Sequence, residues 1–194
     1  MSGPVALERL SERIAGEGEP LAVVSDRSGI SPAMGELAAA GERTSGDPGE
    51  YSYVVEAVHE GYLCHYGRSR LLADPDRDLA LLAGDLFYAI GISGLAGLGD
   101  PESVGILSDL IRVAAELAAA GETASAEAVW LAKLIALTGG PDEPQRGLVL
   151  ALKKGEPGAV DALNEWSAQT ADRLGIGRAF EAAREAIDLR PRNF

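Results

Sequence analysis

One stretch of the chain, Leu79 to Leu98, constrains the fold more than any other because it is long and apolar and carries a single charged side chain, Asp85. By length alone this stretch could cross a lipid bilayer. An aspartate at the middle of a bilayer costs about 3 kcal/mol, however. The flanks carry the acidic residues Asp74, Asp76, Asp78 and Asp100, whereas membrane helices prefer interfacial Lys, Arg, Trp or Tyr. We therefore expect no integral membrane segment, and predict that about 75–98 is the central apolar helix of a bundle.

Residues that favour helices dominate the rest of the chain as well. Its 194 residues include 32 alanines and 25 leucines, against 11 valines and 9 isoleucines, and this composition favours helices over strands. A chain of this length forms one domain by default. A cluster of glycine and proline at 139–144 marks a candidate subdomain boundary. The sequence predicts a single all-α domain over 1–194.

Capping residues and helix breakers divide this sequence into helices. Asp100 followed by Pro101 is the clearest helix start, because the aspartate can accept a hydrogen bond from a free backbone N–H and proline fits the first helical position. This helix is predicted to stop at Gly121, and Ser125 is predicted to cap the next. The only candidate strand is 21–25. The other segments predicted as helices are 4–15, 32–40, 50–66, 125–137, 145–153, 157–174 and 177–189.

The charge and the cysteine content limit the partners and the location of the protein. The chain has 17 Lys and Arg against 30 Asp and Glu, a net charge of −13. Nucleic acids and anionic membranes bind clustered basic residues, so we expect neither as a partner. The single cysteine, Cys64, excludes an internal disulfide and suits a reducing cytoplasm. The first residues lack a basic start followed by an apolar run, so we expect no signal peptide and a cytoplasmic location.

The pair Glu56 and His59 has the spacing that di-iron helix bundles use, because residues three apart share one face of a helix. Such a site needs a second Glu-x-x-His motif and two further glutamates, whereas the only other histidine is His65. Cys64 and His65 are neighbours and point about 100° apart on a helix, which prevents joint catalysis. The sequence also lacks a nucleophile elbow and a glycine-rich phosphate loop. We therefore predict no catalytic residue, no metal site and no cofactor.

The apolar stretch itself contains four candidates for contact with a ligand or a partner. A buried Asp85 must be paired, protonated or directed into a polar cavity. Two roles stay open for it: a buried polar anchor in a ligand cavity, or a hydrogen bond to a neighbouring helix through a Tyr or Arg. Gly84, Gly91 and Gly94 each lower helix propensity by about 1 kcal/mol relative to alanine. Close approach of a neighbouring helix or of a second subunit would offset this loss. The candidate contact residues are therefore Glu56, His59, Gly84, Asp85, Gly91 and Gly94.

Three segments between residues 56 and 121 follow one another in a recognisable order. They are Glu56-x-x-His59-x-x-x-Leu63-x-His65, then Ala80-x-Leu82-Ala83-Gly84-Asp85-Leu86-Phe87, then Leu95-x-x-Leu98-Gly99-Asp100-x-Glu102-x-Val104 with Leu107-Ser108. In this order and spacing they resemble the trans-prenyl diphosphate synthases. In that family the first segment lies on the helix that carries a Glu, a His and the first aspartate-rich motif.

The chain departs from this family at the residues that perform the chemistry. The family binds magnesium through two aspartate-rich motifs, which hold the substrate diphosphates. Where the first motif should stand, this chain has His65-Tyr66-Gly67-Arg68-Ser69, and no Phe-Gln followed by paired aspartates appears after Gly140. Without clustered carboxylates, nothing would hold magnesium against a diphosphate leaving group. We expect no prenyl transfer by this chain alone.

The small, non-catalytic subunit of two-component heptaprenyl diphosphate synthases is more similar, since it also lacks the aspartate motifs and carries a Leu-Ala-Gly-Asp-aromatic helix. This resemblance implies an isoprenoid-synthase-like helical bundle. It also implies an accessory subunit or degenerate homologue that binds a catalytic prenyltransferase subunit, or a second copy of itself, and helps to set product chain length. Two alternatives stay open: a stand-alone helical protein that binds an apolar or lipid-like molecule between its helices, and an enzyme whose site the sequence does not reveal.

Overall fold

A computed structural model gives the structure of residues 3–26 and 28–191. Within these ranges the secondary structure is helical, which confirms the predicted all-α class. The candidate strand at 21–25 is wrong, because this segment forms only an isolated bridge between Val23 and Leu72. The helices are α1 (Gly3–Ala15), α2 (Ala33–Ala39), α3 (Pro48–Tyr66), α4 (Arg77–Leu98), α5 (Pro101–Ala119), α6 (Thr123–Gly139), α7 (Glu143–Lys153), α8 (Ala159–Arg173) and α9 (Gly177–Ala186), with a 3-10 turn at Glu42–Thr44.

Aspartate caps begin four of these helices. The predicted cap of α5 is confirmed, because Asp100 accepts a hydrogen bond from the backbone N–H of Ser103 at 3.1 Å. Asp47, Asp76 and Asp142 cap α3, α4 and α7 in the same way. The predicted cap at Ser125 is wrong, since α6 already begins at Thr123 and Ser125 lies buried in its first turn. Local polar signals therefore located most helix starts to within a few residues.

Two helices, α3 and α6, form the centre of the bundle. Every residue of α3 from Tyr51 to Cys64 is buried, as is nearly every residue of α6 from Ser125 to Thr138. Helices α1, α2 and α4 pack on α3, while α5 and α8 pack on α6. The larger core cluster holds side chains from both sides of the break at 139–144, such as Leu134, Leu163 and Phe180.

The prediction that the apolar helix over 75–98 is central is wrong. Helix α4 occupies nearly the predicted residues, but it lies at the side of the bundle, where one face packs on α3 and the opposite face is open. On the open face, Leu82 is 68% exposed and Leu81 is 36% exposed. The hydropathy of the sequence correctly predicted that α4 is apolar. It does not indicate which helix the other helices surround. The central helix α3 carries charged side chains that other parts of the chain neutralise.

Three of the four glycines of α4, Gly84, Gly91 and Gly94, lie against α3. A Cβ atom added at Gly91 would lie 2.6 Å from Cγ2 of Val58 and 3.2 Å from the carbonyl oxygen of Val54. Gly84 and Gly94 show equally close approaches of 2.6 Å to side-chain atoms of α3. The neighbouring helix that the glycines approach is thus part of the same chain, and its side chains fill the space beside them.

Candidate functional site

Glu56 lies in a buried ion-pair network that joins α3 to the loop after it. Its side chain is fully buried and accepts hydrogen bonds from the backbone N–H of Gly35 at 2.7 Å and from Nη2 of Arg70 at 2.6 Å. One turn later, Glu60 is also fully buried and accepts from Nε of Arg70 at 2.6 Å and from Oγ of Ser69 at 2.8 Å. A single arginine therefore holds both carboxylates.

Burial and ion pairing have opposite effects on the pKa values of Glu56 and Arg70. Burial raises the pKa of Glu56, whereas the positive charge of Arg70 and the N–H of Gly35 lower it. Burial also opposes the charge of Arg70, but the two carboxylates outweigh this effect and raise its pKa. The described residues include no group of three or more His, Cys, Asp or Glu placed to hold a metal ion. The bonds from Ser69 and Arg70 to Glu56 and Glu60 fasten the loop to α3.

His59 lies on α3 between these glutamates, and its ring contacts the indole of Trp130 at a centroid distance of 5.1 Å. The residue is 3% exposed, and neither ring nitrogen has a hydrogen-bond partner among the described residues. Burial, aided by the charge of Arg70, holds the pKa of His59 well below its usual value, so the ring is neutral at neutral pH. The ring lies at a cavity of about 730 Å³, which is lined also by Ile30, Leu63, Arg68, Ser69, Arg70, Asp74, Ala186, Asp188, Arg190 and Pro191.

Asp85 is not the buried polar anchor that was one of its two predicted roles, and the residue of the neighbouring helix that it approaches is a histidine rather than a Tyr or Arg. Its side chain is 75% exposed, and its Oδ1 lies 3.2 Å from Nε2 of His65 on α3. The His65 ring stacks on the ring of Tyr88, with a centroid distance of 5.3 Å and an interplanar angle of 9°. Asp85 therefore needs no buried partner, because it lies on the open side of α4, where water solvates it.

The exposure of Asp85 predicts a small effect of mutation. Replacement of Asp85 by alanine or leucine should change the free energy of unfolding by less than about 1 kcal/mol, because an exposed carboxylate contributes little to stability. Thermal melts of both variants measure this. A loss of about 1–3 kcal/mol in the alanine variant would indicate a buried partner left unsatisfied and would contradict the exposed position.

The open side of α4 forms an apolar surface with Asp85 as its one charge. We call this surface the α4 face, and it comprises Leu81, Leu82, Asp85, Leu86, Ala89, Ile90, Ser93 and Ala96. A groove of about 440 Å³ adjoins it between α1 and α4, with Arg13 and Tyr53 among its lining residues. In the described part of the chain, α4 is the one helix long and apolar enough to cross a membrane, and 33% of its most apolar window is buried.

Comparison of the chain with models of protein families, with curated proteins and with solved structures gave no match. Of the six candidate contact residues, Glu56 and His59 lie within the buried part of α3, where His59 lines the cavity and Glu56 bonds to Arg70. The structure places Gly84, Gly91 and Gly94 against α3 and leaves Asp85 on the α4 face. Sequence analysis missed Glu60 and Arg70. The spacing of four between Glu56 and Glu60, on a helix otherwise rich in apolar residues, was the available signal.

Proposed function

We propose that the protein is a non-catalytic accessory subunit, or a degenerate homologue, of a trans-prenyl diphosphate synthase, and that it binds a catalytic subunit through the α4 face. The observation that carries this proposal is the exposed apolar length of α4. Leu81 and Leu82 lie on it without a covering element, and the half-buried Leu86 and Ile90 continue the surface. Contiguous exposed apolar surface on a folded protein marks an interaction site.

The shape of the α4 face favours a helix as its occupant. Helix α4 has 22 residues and therefore extends for about 33 Å. In the first half of α4, leucine side chains can fit between the side chains of another helix. In the second half, the exposed Ala89, Ser93 and Ala96 are small, so a facing helix can approach closely. A helix packed along this face would cover both halves.

The charge of the chain favours a different protein over a second copy as the partner. Each copy carries a net charge of −13, so two copies repel each other at long range. A less acidic partner avoids this repulsion, and a Lys or Arg on its helix could pair with the exposed Asp85. The resemblance of residues 56–121 to prenyl synthases supplies the identity of this partner, a catalytic subunit located in the cytoplasm.

The roles of this chain and of the catalytic subunit follow from the residues that this chain has and those that it lacks. Magnesium and the substrate diphosphates would be held by the aspartate-rich motifs of the catalytic subunit. This chain would contribute a wall of packed helices beside the growing apolar product, and no metal or cofactor of its own. A change in the shape or depth of the product channel alters the length at which elongation stops, so the accessory chain would help to set product chain length.

A reconstituted reaction tests this function. With magnesium, an allylic diphosphate and isopentenyl diphosphate, the protein alone should form no longer product. Added to a prenyl diphosphate synthase subunit with intact aspartate motifs from the same genome, it should shift the distribution of product lengths. Leu82→Glu should abolish the shift, because it places a charge in the α4 face. Leu150→Glu is the matched control, since Leu150 is 53% exposed on α7.

Two results would contradict the proposal. The first is turnover by the protein alone above a control without protein, because the chain would then hold a catalytic site of its own. The second is a product distribution that the protein does not change, or that the Leu82→Glu variant changes as strongly as the native chain does.

A further inference from the structure

His59 is a titratable side chain at the centre of the bundle that the proposed accessory function does not use. Its ring lies where α3 meets α6, at a centroid distance of 5.1 Å from the indole of Trp130. The residue is 3% exposed, and both ring nitrogens are buried without a hydrogen-bond partner among the described residues. A charged imidazole in this place would lose its hydration and gain nothing in return. The contact between α3 and α6 therefore suits only the neutral ring.

The carboxylates that line the cavity or lie within one turn of His59 and Trp130 all have partners within the chain. They are Glu56 and Glu60 on α3, Glu127 on α6, and Asp74 and Asp188 at the cavity. Arg70 holds both glutamates of α3, and Arg190 holds Asp188. Glu127 accepts a hydrogen bond from the backbone N–H of Leu189 at 3.3 Å, and Asp74 also interacts within the chain. A protonated ring would find no free anion among them.

The other charged or titratable groups in the same positions do not favour a protonated ring either. They are Tyr62, Arg68, Arg70, Lys133 and Arg190. Burial raises the pKa of Tyr62, so its phenol stays neutral, and Lys133 pairs with Asp109 at 2.7 Å. The three arginines line the same cavity as the ring. Protonation of the ring in its present place would add another positive charge beside them, at low dielectric.

The cavity of about 730 Å³ gives a charged ring a route to water. His59 lines this cavity although its nitrogens are covered, so rotation of the side chain about its Cα–Cβ bond can carry the ring away from Trp130 and into the cavity. Water there would hydrate the imidazolium and screen it from the arginines. The indole nitrogen of Trp130 is buried without a partner as well. Water that enters the vacated place can accept its hydrogen bond.

We propose that His59 is an acid-sensitive switch at the centre of the bundle. At neutral pH its neutral ring packs on Trp130 between α3 and α6. When the ring gains a proton it turns into the cavity, and Trp130 becomes hydrated while the helices stay folded. The switch is independent of the α4 face, which shares no residue with the cavity.

Fluorescence and nuclear magnetic resonance test the switch together. The chain has two tryptophans, so Trp166→Phe leaves Trp130 as the single emitter. Between pH 7.5 and 4.5, the ¹⁵N ring resonances of His59 and the emission of Trp130 should change with one common midpoint, below the ordinary histidine value of about 6.5. The emission should move to longer wavelength, and the helical circular dichroism should stay unchanged. The half-buried His65 is the reference ring, since it lies beside Asp85 and away from Trp130.

His59→Phe, which keeps an aromatic ring without a titrating nitrogen, isolates the proton. In the native chain, the unfolding constant from urea titrations should rise by up to about tenfold per pH unit between about pH 6.5 and the switch midpoint, because the unfolded chain binds a proton that the folded chain excludes. This rise should be absent in His59→Phe and retained in His65→Gln. Glu56 and the other carboxylates are present in all three chains, so the difference belongs to His59.

Four results would overturn the proposal. They are a His59 ring that stays neutral down to pH 4.5, a ring that protonates while the emission of Trp130 stays constant, a loss of helicity at the same midpoint, and an equal pH dependence in the native chain and His59→Phe. The first three are measured without a change at His59, so they hold even where His59→Phe fails to fold.

Discussion

Replacement of Arg70 by methionine should lower the free energy of unfolding by about 3–5 kcal/mol, because it leaves Glu56 and Glu60 as buried carboxylates without a cation. Both glutamates are fully buried, and each lies 2.6 Å from a guanidinium nitrogen of Arg70. Methionine keeps an unbranched, flexible apolar side chain at this position, so the lost stability reflects mainly the lost charge. Urea unfolding at neutral pH measures the change.

A surface arginine and the pH dependence provide the controls for this prediction. Arg112 pairs with Asp109 and Glu116 on the exposed side of α5, so Arg112→Met should lose no more than about 1 kcal/mol. In the Arg70→Met variant, the folded-state pKa of Glu56, which burial already raises, should rise further because the positive charge that lowers it is gone. The penalty from Glu56 is then complete at neutral pH and shrinks as the pH falls and this carboxylate binds a proton. An equal loss in both variants, or a loss independent of pH, would contradict the buried network.

Replacement of Gly91 by leucine should destabilise the protein by about 1–3 kcal/mol through overpacking. The new Cβ would lie 2.6 Å from Cγ2 of Val58, and the backbone oxygen of Val54 lies at 3.2 Å. Helices α3 and α4 must therefore separate locally to accept the side chain. Thermal unfolding followed by circular dichroism measures the loss, and the sedimentation coefficient should stay unchanged because this contact lies within one chain.

Gly97 on the same helix is the matched control for Gly91. A Cβ at Gly97 would meet no atom within 4 Å, and leucine has a higher helix propensity than glycine by up to about 1 kcal/mol. Gly97→Leu should therefore be neutral or stabilising. Equal melting temperatures for the two leucine variants would show that α4 does not pack closely on α3 at Gly91.

The helices were predictable because their signals are local. An aspartate that can accept a backbone hydrogen bond marks the start of α5 and of three similar helices. In three of these four helices a proline follows at the next one or two positions. Both signals can be recognised without knowledge of the rest of the fold. The position of each helix in the bundle was not predictable in this way. Helix α3 carries two glutamates, Glu56 and Glu60, within its buried stretch and looks less suited to a core than α4. It can be central because Arg70, which follows it in an irregular loop, neutralises both.

The candidate site was only half visible in the sequence for the same reason. Glu56 and His59 share a helix face, so their spacing singles them out. Arg68 and Arg70 lie in a loop without periodicity, and only the fold shows that both line the cavity and that Arg70 joins the buried network. Asp85 was misjudged because an apolar helix suggests burial on all sides, whereas one side of α4 is open.

Sedimentation velocity of the protein mixed with a catalytic prenyl diphosphate synthase subunit from the same genome tests whether the α4 face binds that subunit. We expect a heteromeric species that forms with the native chain and with Leu150→Glu but is lost with Leu82→Glu. No association of the native chain, or undiminished association of the Leu82→Glu variant, would contradict this binding. So would a homodimer of the native chain that Leu82→Glu dissociates, because the α4 face would then bind a second copy instead.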